Sequence, residues 1–403
     1  MRRIFKAFTY RDFRLLWLGA FTSSVGTWMQ TVAQNWLVLT LTGSAFYLGL
    51  SAFLQEAPFL VFSLFGGVLA DRVDRRRILL ASQVVQLSSA FILAGLVVLG
   101  RVHVWHILAL SFAVGLAQSF GGPAYQALVP TLVDREDLPN AVALNSIQFN
   151  LARVIGPVLG GWTFYAFGAA ACFALNGLSF LAVIAALLAL RRGAFLSPPE
   201  GGSVLESLRA GVVTVHRSKP LRGLVGIAFL SSFCALPLVT LLPVFAKDIF
   251  GGDAKGYSYL LAAFGLGAVA GAIAVAGLSH VAGRGRLGVT MLGVFGVLSI
   301  AFGLSRLLAL SYAVLFLAGA AMVSVFATFM TLVQTNVEEA MRGRVVSVYT
   351  LAFRGAMPVG NLVAGSLAAL FTAPWVLLGN GLFLILFCGG VLLVRSREGV
   401  LSL

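Results

Sequence analysis

The chain has 403 residues, 59% of them hydrophobic and only 10% charged, with a mean hydropathy of +0.97. A soluble domain carries about 25% charged residues, so the composition excludes one and defines an integral membrane protein. The net charge of +14 does not signal nucleic-acid binding, because the cations are scattered through short loops and form no basic face within any folded stretch.

Arg2, Arg3 and Lys6 ahead of an apolar run imitate a signal peptide. The run from Phe13 to Leu41 is too long for one and many more follow, so it reads as the first transmembrane helix. Windows of about 20 apolar residues fall near 13–41, 45–70, 77–100, 104–129, 141–166 and 168–190, and again near 220–246, 257–279, 287–305, 308–334, 345–371 and 374–394. Twelve spans put both termini on one side of the membrane.

Between spans two and three lies Gly67-Val-Leu-Ala-Asp71-Arg72-Val-Asp74-Arg75-Arg76-Arg77. Charge that dense cannot lie in hydrocarbon, so it forms a tight turn at one membrane face. Sorting the 28 Lys and Arg by side leaves only Arg101, Lys247, Lys255 and Arg306 opposite the termini. The positive-inside rule therefore makes the termini and this turn cytoplasmic. The longest loop, 191–219, separates a six-span unit at 1–190 from a second at 220–403. Its Ser-Pro-Pro-Glu-Gly-Gly run is a linker. Beyond it Ser203 with Glu206 forms a capping box, and Leu205, Leu208, Val212 and Val215 make an apolar stripe for a connector or a membrane-surface helix.

The halves repeat. Gln126-Ala-Leu-Val-Pro at the end of span four echoes Met330-Thr-Leu-Val-Gln in span ten, and Arg153-x-x-x-Pro157 in span five matches Arg354-x-x-x-Pro358 in span eleven. The turn after span eight, through Gly283-Arg284-Gly-Arg286, is a worn copy of the first charged turn, with His280 where Asp71 stands. Internal repeats of this kind are common in transporters.

With these features the chain resembles the major facilitator superfamily, whose signature Gly-x-x-x-Asp-Arg-x-Gly-Arg-Arg sits between spans two and three. Phe13-Arg-Leu-Leu-Trp-Leu-Gly, Trp28-Met-Gln, Leu41-Thr-Gly-Ser, Pro123-Ala-Tyr-Gln-Ala-Leu-Val-Pro and Gly343-Arg-Val-Val-Ser resemble its branch of enterobactin and macrolide exporters. The implied fold is all-α, with two pseudo-symmetric six-helix bundles. For Gly67, Asp71, Arg72, Arg75 and Arg76 the resemblance implies a cytoplasmic latch that meets the start of span eleven near Gly343 and Arg344; the alternative is a purely topological role for the arginines. Gly156-Pro157-Val-Leu-Gly160-Gly161 resembles the antiporter signature of drug exporters, against a simple close-packing role. Asp74 departs from the family's glycine, and span four lacks the arginine that many proton-coupled relatives carry there.

No Gly-x-x-x-x-Gly-Lys-Ser/Thr loop is present, so ATP use is not expected. The four histidines map to loop ends and Cys172, Cys234 and Cys388 to apolar runs, so no enzyme, metal site or cofactor is expected either. Of the 14 acids only Glu56 is central to a span. It is a candidate proton carrier or counter-ion to a cationic cargo, or else a structural partner of a buried polar group. Arg153 and Arg354 are candidates for binding anionic or hydrogen-bond-accepting groups or for a changing pair with Glu56, against interdomain bracing or interfacial snorkelling. Gln30 and Gln34 are four apart and share a face, next to Asn35. They join Gln118, Asn145, Gln148 and Asn361 as candidate cavity groups, and with Phe229, Phe233, Phe326 and Phe329 they suggest a mixed aromatic and polar pocket for a bulky amphiphile. The expected function is export of such a molecule, a drug or siderophore, by alternating access with proton antiport across a bacterial inner membrane. The alternatives are lipid or nutrient transport on the same fold, and a membrane receptor or scaffold. The expected partners are a small-molecule substrate, protons and membrane lipids, with the chain acting as a monomer.

Overall fold

The computed structural model describes residues 5–191, 204–277 and 283–398. Among the described residues it contains helices and no strand: α1 (Arg11–Thr42), α2 (Ala45–Arg72), α3 (Arg75–Val98), α4 (Val104–Leu128), α5 (Leu138–Ala189), α6 (Val204–Arg217), α7 (Lys219–Ala235), α8 (Pro237–Val244), α9 (Ala254–Gly277), α10 (Arg284–Leu304), α11 (Leu308–Thr335), α12 (Glu339–Phe371) and α13 (Ala373–Glu398). Nine stretches are long and apolar enough to cross a bilayer, α7 and α8 acting together as one over Lys219–Ile249. The 52-residue α5 counts as two spans, because Gly168 (φ 77°, ψ −179°) breaks it into two limbs. That backbone region is open essentially to glycine alone. With the second limb of α5, and with α1 and α12, which are long enough but more polar, the chain has twelve membrane-crossing helices.

The chain divides into two compact units that do not coincide with the sequence halves. One comprises Met1–Gly43, Leu54–Gly201 and Asp253–Tyr259, the other Ser44–Phe53, Gly202–Gly252 and Leu260–Leu403. In the first unit α1 lies along both limbs of α5. Lipid tails are as apolar as leucine, so close backbone approach rather than water exclusion holds such helices together. Gly160 meets the backbone of Met29, where an added Cβ would come within 2.8 Å of its Cα, and Gly156 packs on the side chain of Trp28. At the basic end of this unit Phe13, Leu16, Ile78, Leu79, Leu128, Leu144 and Leu187 form a continuous core, and the Trp17 indole donates to the Leu144 carbonyl at 2.9 Å.

That end is also fastened by polar contacts. Lys6 pairs with Asp137 at 2.8 Å, and the Tyr10 hydroxyl donates to both Asp134 and Asp137 at 2.8 Å. Those two carboxylates push the Tyr10 phenol up to about 12, while hydrogen bonds from Lys6 and Tyr10 hold Asp137 below the usual carboxylate range.

In the second unit α10 packs on α11 and α13, and α7 on α12. Phe245, Phe295, Phe302, Phe329 and Tyr349 are its largest buried side chains. Gly49, on the segment of α2 that belongs to this unit, sits against the backbone of Asn361 and Gly365 on α12. The amphipathic connector α6 packs on the start of α12, with Gly211 close to the Arg344 backbone and Val215 buried, while Val212 is 49% exposed. The stripe anticipated from sequence is thus divided between a protein face and an outward one. Ser203 and the Leu205 side chain lie outside the described residues.

Candidate functional site: a carboxamide cavity in the first unit

Five helices bring amide side chains together inside the first unit. Gln30, Gln34 and Asn35 come from α1, Gln55 from α2, Gln86 from α3, Gln118 from α4, and Asn176 from the second limb of α5; Ser111 and Ser89 complete the polar lining. Gly115 admits α4 against the backbone of Gln55, which is how that residue reaches the cavity. Asn176 donates to Gln30 Oε1 at 2.7 Å, Gln34 to Ser111 Oγ at 3.0 Å, and Gln118 to Gln86 Oε1 at 3.2 Å. Gln86 in turn donates to Ser82 Oγ at 3.2 Å. In hydrocarbon every such group needs a partner, and this network supplies them while keeping a set of neutral donors and acceptors in one place. The cavity holds about 40 Å³, room for roughly three waters, so a larger guest requires the helices to part.

Of the residues expected from sequence, Gln30, Gln34 and Gln118 meet here. Gln148 does not: it donates to Ser24 Oγ at 2.8 Å and is 3% exposed. Asn145 accepts from the Tyr125 hydroxyl at 2.7 Å. Asn361, in the second unit, accepts from Thr240 at 3.0 Å and is spent on packing. Glu56 follows Gln55 on α2, half-buried, and is not among the cavity-lining residues. Arg354 lies half-buried on α12 in the second unit. Arg153 lies over the rings of Trp28 and Phe149, 5.5 and 5.6 Å from their centroids. Gln55, Gln86 and Asn176 went unnoticed in the sequence, although each is an isolated amide in an apolar run, because only a three-dimensional alignment of helix faces brings them together.

The Gly156, Pro157, Gly160 and Gly161 segment is buried. Gly161 receives the side chain of Ser258, at the start of α9. Nearby, Asn35 donates to the fully buried Tyr257 hydroxyl at 3.1 Å, and the Lys255 ammonium lies 4.1 Å from the Trp162 ring centroid. This is how residues 253–259 join the first unit.

In the charged turn, Gly67 and the side chains of Asp71 and Arg72 lie outside the described residues. Asp74 caps α3, its Oδ1 accepting from the Arg76 N–H at 2.8 Å with φ −52°. No left-handed residue is needed there, which explains why an aspartate can replace the family's glycine. Arg75, 5% exposed, donates to the Ala127 carbonyl at 3.0 Å, and Arg76 to the Leu188 carbonyl at 2.8 Å. Both tie α3 to neighbouring helix ends within the first unit.

In the second unit Phe229, Phe233, Leu367, Phe371, Trp375 and Phe383 line an open groove of about 690 Å³. Asn380 on its wall donates to the Cys234 carbonyl at 3.1 Å. The mixed pocket anticipated from sequence is therefore distributed: amides line the cavity of the first unit, aromatics the groove of the second. Phe326 packs against Phe353 with the rings tilted by 49°, and Phe329 is core.

Twelve helices long enough to cross a membrane, with a neutral polar cavity inside the first unit, define a polytopic membrane protein. The family model described as "Transmembrane secretion effector" matches residues 4–399, and the chain belongs to that family, within the major facilitator superfamily. It is 31% identical over 369 residues to the enterobactin exporter EntS of Escherichia coli O1:K1, covering 90% of this chain and 87% of the relative. It is 23% identical to macrolide efflux protein A of Streptococcus pyogenes, covering 88% and 89%. Among solved structures it matches a bacterial homolog of the human lysosomal transporter Spinster in an inward-facing, occupied conformation, with a TM-score of 0.77, 15% identity, and coverage of 96% and 97%.

Proposed function

We propose that the protein exports a bulky amphiphilic small molecule, a drug or siderophore, across a bacterial cytoplasmic membrane by alternating access coupled to proton antiport, with both termini cytoplasmic. The carboxamide cavity carries this reading. Seven neutral amides gathered in a membrane-embedded bundle provide hydrogen bonds for a multifunctional guest without the desolvation cost of charge. Relatives that export enterobactin and macrolides support the class of cargo. Glu56 is the proton-carrying candidate, as the acid central to a span, and Gly67, Asp71, Arg72, Arg75 and Arg76 the latch candidates at the cytoplasmic end.

The test is flux in proteoliposomes. Candidate drugs, siderophores and lysolipids are offered with and without a pH gradient. Gradient-driven uptake into inverted vesicles, lost in Glu56→Gln at unchanged expression, is the expected result; gradient-independent flux would remove the antiport assignment. The aromatic groove of the second unit favours one competing reading, lipid or lysolipid transport, which the lysolipid arm decides.

A further inference from the structure

Arg153 is fifteen residues into the first limb of α5, which begins at Leu138, so helical rise places it about 22 Å along the span, near mid-membrane. A charge at that depth is costly and is normally matched by a carboxylate or by solvent in a cavity. No carboxylate lies within ion-pair distance of Arg153 among the described residues. Its guanidinium instead lies over Trp28 and Phe149, whose π faces attract the charge but offer no lone pair to its N–H groups. Nε is buried and has no acceptor among the described residues.

This arrangement is held from behind. Gly156, one turn further along α5, packs directly on Trp28; a side chain there would drive the indole away. Pro157 and Gly160 are buried beside it, with Gly160 against Met29. Phe149 is 50% exposed and extends an apolar wall beside the guanidinium. The result is a half-buried cation set over two aromatic rings, with its Nε shielded and without an acceptor among the described residues. A guanidinium presents its donors as a planar fork that fits a carboxylate in two parallel hydrogen bonds.

We propose that Arg153 is the docking point for a carboxylate on the exported molecule, so that the cargo is an amphiphilic anion whose apolar part lies on Trp28 and Phe149. This rests on the export reading and names the class of cargo within it. Lipid phosphate is a poor match, because headgroups lie at the membrane faces rather than at mid-depth.

The experiment uses the purified full chain in nanodiscs, with 1-pyrenebutyrate and its methyl ester as probes. Binding is read by energy transfer from tryptophan, with empty nanodiscs subtracted. The wild type is expected to prefer the acid over the ester by about tenfold. Arg153→Gln should erase that preference while leaving ester binding unchanged, which also shows that the variant is folded. Arg153→Lys, which keeps the charge without the fork, should retain only part of it. An absent preference in the wild type, or an undiminished one in Arg153→Gln, overturns the proposal. So does loss of the preference when chloride is added to a low-salt buffer free of other carboxylates, which would make this a halide site. Efflux is measured separately. Ester efflux without any Arg153-dependent acid preference refutes the carboxylate site and leaves export standing, whereas Arg153-dependent acid binding without efflux of any probe does the reverse.

Discussion

The first and second units contain matching Arg-x-x-x-Pro segments, yet their surroundings differ in kind. Around Arg153 the sequence runs Arg-Val-Ile-Gly-Pro, and Gly156 admits Trp28 against the guanidinium. Around Arg354 it runs Arg-Gly-Ala-Met-Pro, with Met357 at the position that Gly156 holds in the first unit. The polar lining follows the same division: amides gather in the cavity of the first unit, while phenylalanines and Trp375 line the groove of the second. The repeated Arg-x-x-x-Pro sequence thus sits in two different chemical settings. Clustered hydrogen-bonding side chains line the cavity of one unit and apolar surface the groove of the other.

The comparison is broken most severely at the glycines. Gly160→Leu forces a side chain into the Met29 backbone, where overpacking costs about 1–3 kcal/mol in a contact that any sliding of α1 on α5 needs. Flux is expected to disappear while membrane insertion and monodisperse elution persist, and unaltered flux would show the contact to be passive. A smaller effect is expected from Asn176→Leu, which removes the 2.7 Å hydrogen bond to Gln30 and leaves the Gln30 Oε1 without that donor. A buried unpaired group costs about 1–3 kcal/mol, so cargo affinity should fall on the order of tenfold, as read by equilibrium binding. Phe233→Ala in the groove should weaken binding of apolar cargo only about threefold, because the site is open and one wall remains. A larger loss from Phe233→Ala than from Asn176→Leu would reverse the assignment of the cargo cavity to the first unit.

The smallest effect concerns the fastening at the basic end. Asp137 is held below its ordinary range by Lys6 and Tyr10, so its contribution is complete above the ordinary carboxylate pKa and is lost as pH falls through its lowered value. Acidification below the ordinary carboxylate range should increase hydrogen exchange at residues 6–10. Asp137→Asn should produce the same exchange at neutral pH, and the amide cavity should be unaffected by either.

Span count and the position of the break between spans five and six were legible because apolar runs and glycine are strong signals; the boundary drawn at 167 falls next to Gly168. Gln30, Gln34 and Gln118 were legible for a different reason, each being a polar residue where hydrocarbon demands an explanation. Gln148 and Asn361 carried the same signal but are consumed by Ser24 and Thr240, and no spacing within one helix reveals whether an amide faces a guest or a neighbour. The Arg75 and Arg76 carbonyl contacts were hidden for a similar reason, since their acceptors are backbone atoms 52 and 112 residues away.

Gly168 has a consequence for how the protein is made. The two limbs of α5 are joined by a single residue in a conformation that side chains resist, and no polar loop separates them. The fifth and sixth spans therefore have no hydrophilic segment to rest at the far interface while one waits for the other. Insertion of the two spans as a single hairpin closing at Gly168 is the expected outcome.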